Sequence, residues 1–333
     1  MRLGMMGLGM SNSFKELKGR SKDRSKRISM AMLDDSRKHE KTRTDIWMSE
    51  VLRKSSNFVS AKRLESCGRS SRCGYAYCST CRLRHAKSLE KRFEAHTEKY
   101  ELGDLKVLER YRWVTILHSL ERCDLEDIAA ATKAARREFN NFKRKWKDTW
   151  AEGVFEYELV DMLKIKNLIA DDGNSSRKRD VLLEMLTEEK DYRKDRFEYG
   201  DGILYQDHNK LDRSDYILFH SHFLMDAGFW ADGNWADITD DLRKRWDGNY
   251  RVRIDRLYGT NRQSINSSFA SISRYCFKNR TKFNYRFGEY RHEDDVENEN
   301  MFSMYQANTI FNIYESMSGK NNRGMLLGWE SKQ

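Results

Sequence analysis

Residues Tyr216–Met225 read YILFHSHFLM and form the most apolar run of the chain. The length of this run and its content of Ile, Phe and Tyr predict a central β-strand. Side chains alternate between the two faces of a strand, so we expect His220 and His222 to point to the same face. Two imidazoles on one face can ligate one cation. A hydrogen-bonded histidine pair inside a sheet is the ordinary alternative.

Strand-like and helical segments alternate around this run. Arg112–Leu117 (RWVTIL) is β-branched and aromatic and predicts a strand, and Val154–Leu163 alternates like another. Asp124–Trp150 lies between them and predicts a long amphipathic helix that Asp124 caps. The order indicates an α+β fold, an antiparallel sheet with flanking helices, which we expect on one face of the sheet. The sequence also predicts a strand at Tyr250–Tyr258 and helices within 46–65 and 86–110 and at Thr239–Asp247, Ser264–Lys278 and Met301–Met317.

Positive charge is concentrated at the front of the chain. The 333 residues contain 62 Lys and Arg and 52 Asp and Glu, for a net charge of +10. Residues 1–100 alone hold 24 Lys and Arg against 11 Asp and Glu. Such a segment favours a polyanion such as nucleic acid, although a solvated tail is the plainer alternative. Because no signal peptide and no apolar run of ~18 residues is present, we expect a cytoplasmic protein without a membrane partner.

Four of the six cysteines form the cluster Cys67-x5-Cys73-x4-Cys78-x2-Cys81. In a reducing compartment, clustered cysteines indicate a metal more often than disulfides, and zinc takes four such ligands at about 2.3 Å. The sequence therefore predicts a structural Zn²⁺ site, with His85 as an alternative to one cysteine. Buried or redox-active cysteines are the competing interpretation. The basic side chains that decorate the cluster are expected to contact DNA phosphates. They are Arg69, Arg72, Arg82, Arg84 and Lys87.

The segment Tyr275-Cys276-Phe277-Lys278 lies in a predicted helix. Tyr275 and Lys278 are three residues apart and therefore share a helix face. A phenol with a pKa of ~10 is a weak nucleophile at neutral pH. It becomes useful when a metal polarises the electrophile and a cation meets the developing charge. The ordinary alternative is an amphipathic surface helix in which Tyr and Lys have no chemical role.

Taken in order, the segments RWVTIL, VFEYELVD, FHSHFLMD and RYCFK, behind a basic cysteine-rich module, resemble the initiator (Rep) proteins of rolling-circle plasmids in the HUH endonuclease superfamily. The resemblance extends from about Ser66 to Lys282. It implies a ferredoxin- or RRM-like palm preceded by a small zinc-binding module. Two positions depart from the family pattern. Ser221 stands where the family usually has a hydrophobic residue or Pro, and Ser271 stands where some plasmid initiators carry Glu.

The resemblance implies a one-tyrosine DNA nicking-joining endonuclease. His220 and His222 would then ligate Mg²⁺ or Mn²⁺, with Glu158 as the acidic residue that completes the site. Tyr275 would be the nucleophile that forms a 5′-phosphotyrosine, and Lys278 would be its positioning cation. The implied partners are plasmid origin DNA, as a single strand or hairpin nick site, and a host polymerase. A host helicase is also implied, since the sequence has no Gly-x4-Gly-Lys-Ser/Thr motif.

Two other functions stay open. One is a relaxase or transposase with the same nuclease fold, and the other is a non-enzymatic zinc-containing DNA-binding protein whose histidines and tyrosine are core residues.

The same observations divide the chain into four predicted parts. They are a basic flexible arm (1–60), the cysteine-rich module and a helix (61–105), the HUH endonuclease domain (106–290, with an insertion at about 164–215) and a C-terminal tail with a weak helix (291–333).

Overall fold

Five strands form one antiparallel sheet among the residues that the structure, a computed structural model, describes. The strand order is β4-β1-β3-β2-β5, so the third strand along the chain is central, and the α+β fold with an antiparallel sheet is confirmed. The strands are β1 (Tyr111–Arg122), β2 (Trp150–Asp161), β3 (Asp215–Asp226), β4 (Val252–Arg256) and β5 (Leu326–Trp329). The described residues are 43–68, 72–75, 78–99, 104–162, 181–182, 185, 215–228, 231–246, 251–257, 261–277, 302–318 and 325–329.

The central strand β3 contains the two histidines and is buried along its whole length. A strand buried at every position must be covered on both faces. Alternation places His220 and His222 on one face, and Phe219, Ser221 and Phe223 on the other. The central strand predicted from the apolar run is therefore confirmed.

Helices pack on both faces of the sheet. On one face, Phe139 lies edge-on to Phe223 of β3, with their ring centroids 5.5 Å apart. On the other face, Leu224 of β3 shares a core cluster with Phe93 and Phe269. The expectation of helices on one face was wrong, because β3 is apolar on both faces and needs cover on each. The helices are α1 (Arg43–Lys54), α2 (Phe58–Glu65), α3 (Ser79–Lys99), α4 (Asp104–Arg110), α5 (Leu125–Lys145), α6 (Ala231–Arg245), α7 (Arg262–Cys276) and α8 (Met304–Ser318).

Helix α5 follows from local sequence. The Asp124 side chain accepts hydrogen bonds from the backbone N–H groups of Glu126 and Asp127, which caps the helix as predicted. The apolar stripe of α5, which includes Phe139 and Phe142, is buried against the sheet. The helix ends earlier than expected, and Trp150 begins β2 instead of closing α5.

The segments outside the central sheet differ in part from expectation. Residues 43–60, within the predicted arm, form α1 and the start of α2. In the predicted tail, α8 is followed by β5, which pairs with residues 151–154 of β2 and was not predicted. Residues 1–42 and most of the predicted insertion lie outside the described residues. Among the described residues, no helix has both the length and the apolar composition that crossing a bilayer requires.

Gly153 in β2 has no room for a side chain. A Cβ at this position would lie 2.0 Å from the carbonyl oxygen of His222 and 2.4 Å from Cβ of Phe223. We expect Gly153→Ala to lower the free energy of unfolding by about 3 kcal/mol, because two strands would have to separate locally. Gly328→Ala is the matched control, since its Cβ would meet nothing closer than 3.5 Å. Equal urea unfolding midpoints for the two variants would contradict this account of β2–β3 packing.

Candidate metal and nucleophile site

Three buried side chains converge on the face of the sheet that carries the histidine pair. Glu156 of β2 lies opposite His220 of β3 in the strand register. The Oε2 atom of Glu156 is 3.6 Å from Nε2 of His220 and 3.1 Å from Nε2 of His222. None of the three residues is more than 3% exposed. One carboxylate oxygen is thus shared by two imidazoles in a buried position, and the three side chains could together hold a metal ion.

Glu158, the acidic residue predicted for this site, lies two residues further along β2 on the same face. Its Oε2 is 3.6 Å from Nε2 of His220. Glu156 approaches both imidazoles, and it is the residue that sequence reasoning missed. The alternation of two glutamates on one strand was visible in the sequence. Only the register between β2 and β3 shows which glutamate stands opposite His220.

A divalent cation fits the spacing of these groups. Ligand atoms about 2.1 Å from an ion are about 3.0 Å apart at right angles and about 3.4 Å apart at tetrahedral corners. The measured separations of 3.1 and 3.6 Å between the carboxylate oxygens and the imidazole nitrogens are of this size. An ion with six-fold coordination would keep positions for other oxygen ligands, such as those of a phosphate.

Two residues of β1 fix the orientation of His222. The Thr115 hydroxyl is 2.9 Å from Nδ1 of His222, so the ring directs Nε2 toward Glu156. The indole of Trp113 stacks on the same imidazole, with nearly parallel planes and centroids 5.7 Å apart. A hydrogen bond to one ring nitrogen sets which nitrogen is available to a metal, so Thr115 leaves Nε2 of His222 available, and the stacked indole of Trp113 holds the ring in place.

Tyr275 is brought to this group by α7. The helix begins with a capping box made by Asn261 and Ser264, and Tyr275 stands in its last turn. Its ring lies edge-on to His222, with centroids 4.9 Å apart and planes at 82°. Tyr275 is 44% exposed, whereas His222 is 2% exposed, so the phenol lies between the buried group and solvent. Lys278, the predicted positioning cation, lies outside the described residues.

A third histidine lies behind the site, on the opposite face of the sheet. Nε2 of His118 is 2.9 Å from the Ser221 hydroxyl, inside a cage formed by Phe139, Phe219 and other aromatic rings. Burial in this cage lowers the pKa of His118 to about 3, so the imidazole is neutral at physiological pH. Ser221, which departs from the pattern of the family that the sequence resembles, is therefore the hydrogen-bond partner of a buried neutral imidazole.

The four clustered cysteines have the geometry of a tetrahedral metal site. An ion 2.3 Å from four sulfurs holds them about 3.8 Å apart. In the structure, Sγ of Cys67 lies 3.4 Å from Cys78 and 3.6 Å from Cys81, and the sulfurs of Cys73 and Cys81 are 3.7 Å apart. The cluster could therefore hold a metal ion. His85 is the alternative ligand from the sequence, and the four sulfurs form the group without it.

Hydrogen bonds within the cluster favour the thiolate form that a metal requires at Cys81 but not at every cysteine. Hydrogen bonds with Cys78 and Cys81 raise the pKa of Cys73, and, against the lowering effect of Cys73, the hydrogen bond with Cys81 together with burial raises the pKa of Cys78. The Cys73 and Cys78 thiols, together with the Gly74 amide, lower the pKa of Cys81 well below the usual range of a thiol, against the effect of burial. The Gly74 N–H lies 3.3 Å from Sγ of Cys81, and the Cys73 N–H lies 3.4 Å from Sγ of Cys67. These backbone N–H groups stabilise negative charge on the two sulfurs, as a metal-bound thiolate requires.

The basic residues predicted to contact DNA differ in their exposure to solvent. Arg72, Arg84 and Lys87 are exposed, and the last two share one face of α3. Arg82 is partly buried, and burial lowers its pKa while attraction to Asp45 opposes that effect. Its guanidinium is therefore less accessible to phosphates than the others. Arg69 lies outside the described residues.

Comparisons with known proteins give no relatives: no protein-family model, no curated protein and no solved structure matches the chain.

The two glutamates should contribute unequally to metal binding. We expect Glu156→Gln to weaken Mn²⁺ binding on the order of 100-fold, because Glu156 approaches both imidazoles, and Glu158→Gln to weaken it about tenfold. Isothermal titration calorimetry with Mn²⁺ measures the affinity of both variants. Glu152→Gln is the control, since this glutamate on the same strand pairs with Arg92. Native affinity in Glu156→Gln would exclude Glu156 as a ligand.

Proposed function

We propose that the chain is a rolling-circle plasmid replication initiator of the HUH endonuclease superfamily, which nicks and rejoins single-stranded DNA through Tyr275. One observation supports the proposal most strongly. The centroid of the exposed Tyr275 ring lies 4.9 Å from that of His222, and His222 belongs with Glu156 and His220 to the group that could hold a metal ion. An exposed phenol beside a buried metal-ligating group is the pairing that a tyrosine transesterase needs.

In the proposed reaction, the Tyr275 oxygen attacks a phosphorus of the DNA strand. The bond from phosphorus to the 3′-oxygen breaks, the phenol proton passes to water, and the leaving oxygen takes a proton to become a free 3′-OH. The 5′-phosphate stays on Tyr275. Because one phosphodiester replaces another, rejoining the strand requires no ATP. Mg²⁺ or Mn²⁺ in the group would draw charge from a non-bridging phosphate oxygen, a contribution of several kcal/mol.

The protein residues have separate tasks in this scheme. Glu156, His220 and His222 would hold the cation, with Glu158 as a further ligand beside His220. Thr115 would keep His222 in the orientation that ligation requires. Lys278, placed by sequence three residues after Tyr275, would stabilise charge on the attacked phosphate.

The cysteine cluster would hold Zn²⁺ as a structural ion, because four sulfurs suit zinc better than Mg²⁺ or Mn²⁺. The exposed Arg72, Arg84 and Lys87 would contact phosphates of the plasmid origin.

The 3′-OH that strand cleavage produces would prime a host polymerase in the cytoplasm, and a host helicase would separate the strands. A relaxase or transposase would use the same nicking chemistry, and the site geometry supports them equally.

A non-enzymatic zinc-containing DNA-binding protein is the second candidate, and the burial of His220 and His222, each 2% exposed, favours it, because a DNA phosphate must reach these side chains in a nicking enzyme. Covalent capture separates the two. The chain is incubated with Mn²⁺ and a random-sequence library of labelled single-stranded oligonucleotides, then denatured in detergent. A nicking enzyme yields label bound covalently to protein, lost with EDTA or in His220→Ala. A binding protein yields none, although it retains the library before denaturation.

A further inference from the structure

Helix α3 links the cysteine cluster to the helix that carries Tyr275. Cys81 lies in the first turn of α3, and His85 follows one turn later. The ring of His85 stacks on Phe277, with centroids 5.7 Å apart and planes at 25°. Phe277 is the C-cap of α7, two residues after Tyr275. The cluster and Tyr275 are thus connected through one turn of α3, the stacked pair His85 and Phe277, and the end of α7.

The rest of α3 supports α7 along its length. Leu89 and Phe93 of α3 share a buried cluster with Ile265 and Phe269 of α7. The rings of Phe93 and Phe269 meet edge-on, with centroids 5.8 Å apart. Near the last turn of α7, the charges of Glu90 and Arg274 attract each other. The position of α7 therefore depends on the position of α3.

Asp45 of α1 fixes the first turn of α3. The Ser79 N–H donates to Oδ1 of Asp45 at 3.1 Å, and the Ser79 hydroxyl donates to the other oxygen of the same carboxylate. Both residues are buried. Together with Cys81 in the cluster, this cap sets where α3 starts and so where His85 stands.

We propose that the cysteine cluster positions Tyr275 against His222 through α3, with His85 and Phe277 as the positioning residues. The inference rests on the proposed function for its chemical consequence. Because Tyr275 stands in the last turn of α7, the packing of Phe277 at the end of that turn sets the direction of the phenol. A displacement of about 1 Å from attack geometry costs about 100-fold in rate.

The first test is kinetic and uses the full chain with the oligonucleotide that covalent capture recovers. His85→Ala should lower the single-turnover cleavage rate tenfold or more, while the oligonucleotide dissociation constant, zinc content and Mn²⁺ affinity stay within twofold of native. His85→Phe keeps a flat ring against Phe277 and should restore most of the rate. Ser88→Ala, on the exposed face of α3, is the control and should cut like the native chain.

The second test needs neither DNA nor metal in the histidine group. Fluorotyrosine at position 275 reports its surroundings by ¹⁹F NMR, with His222→Ala as the reference for a lost ring contact. His85→Ala and Phe277→Leu should move the ¹⁹F signal most of the way to that reference, and His85→Phe should not. An unmoved signal in either folded variant overturns the inference.

The two tests separate this inference from the proposed function. If the native chain captures no oligonucleotide, the nicking function fails, yet a moved ¹⁹F signal in His85→Ala still supports positioning of Tyr275. If the native chain cuts and His85→Ala matches it in both rate and signal, the positioning role is overturned and the nicking function stands. Parallel losses of rate, DNA affinity and metal affinity in His85→Ala would also overturn it, because His85 would then serve only the fold.

Discussion

Tyr275→Phe should abolish strand cleavage and leave the fold intact. The substitution removes only the attacking oxygen, and removal of a nucleophile lowers turnover by about 10³-fold or more. Because the ring is partly exposed and its edge still meets His222, the free energy of unfolding should change by less than about 0.5 kcal/mol. Mn²⁺ affinity should be native, since the phenol is not among the group that could hold the ion.

Tyr305→Phe is the matched control, because Tyr305 is another exposed tyrosine and lies on α8. Covalent capture of labelled oligonucleotides and relaxation of supercoiled origin DNA both measure the effect. Native cleavage by Tyr275→Phe, or equal losses in the two variants, would reject the nucleophile assignment.

Cys81→Ser should lower the stability of the whole chain. Cys81 Sγ lies within hydrogen-bonding distance of two other sulfurs of the cluster and of the Gly74 amide, so its loss should eject the ion and leave buried thiols without it. Metal binding at such sites is coupled to folding. We expect the free energy of unfolding to fall by on the order of 5 kcal/mol, which is a large part of the stability of a typical domain, and the thermal midpoint to fall by roughly 10 °C.

Cys123→Ser is the control for this experiment, because Cys123 lies just after β1 and belongs to no group of metal-ligating residues in the described part of the chain. Native protein should contain about one zinc per chain, as should the Cys123 variant, and Cys81→Ser should contain much less. Native zinc content and thermal midpoint in Cys81→Ser would show that the cluster is a packing feature only.

The sequence contained enough information for the main elements of the sheet. The apolar run around His220 and His222 is buried on both faces, and such runs are recognisable because no polar face interrupts them. Strand alternation also gave the shared direction of the two imidazoles. Helix α5 was recognisable from its cap at Asp124 and its apolar stripe.

What escaped prediction depends on contacts between distant segments. The choice between Glu156 and Glu158 requires the β2–β3 register, which no local pattern encodes. β5 is only four residues long and gains its hydrogen bonds from β2, so its own sequence carries little strand signal. The sequence predicts His85 as an alternative zinc ligand, and its stacking on Phe277, about 190 residues later in the chain, has no local signal.

The central claim is that the Tyr275 oxygen becomes joined to DNA. The most direct measurement is mass spectrometry of the peptide that remains attached to the captured oligonucleotide after protease and nuclease digestion. The account predicts a nucleotide 5′-phosphate on Tyr275, formed only with a divalent cation, and a free 3′-OH on the released DNA. A modification on another tyrosine, a 3′-linked adduct, or no adduct while DNA is cut would contradict it.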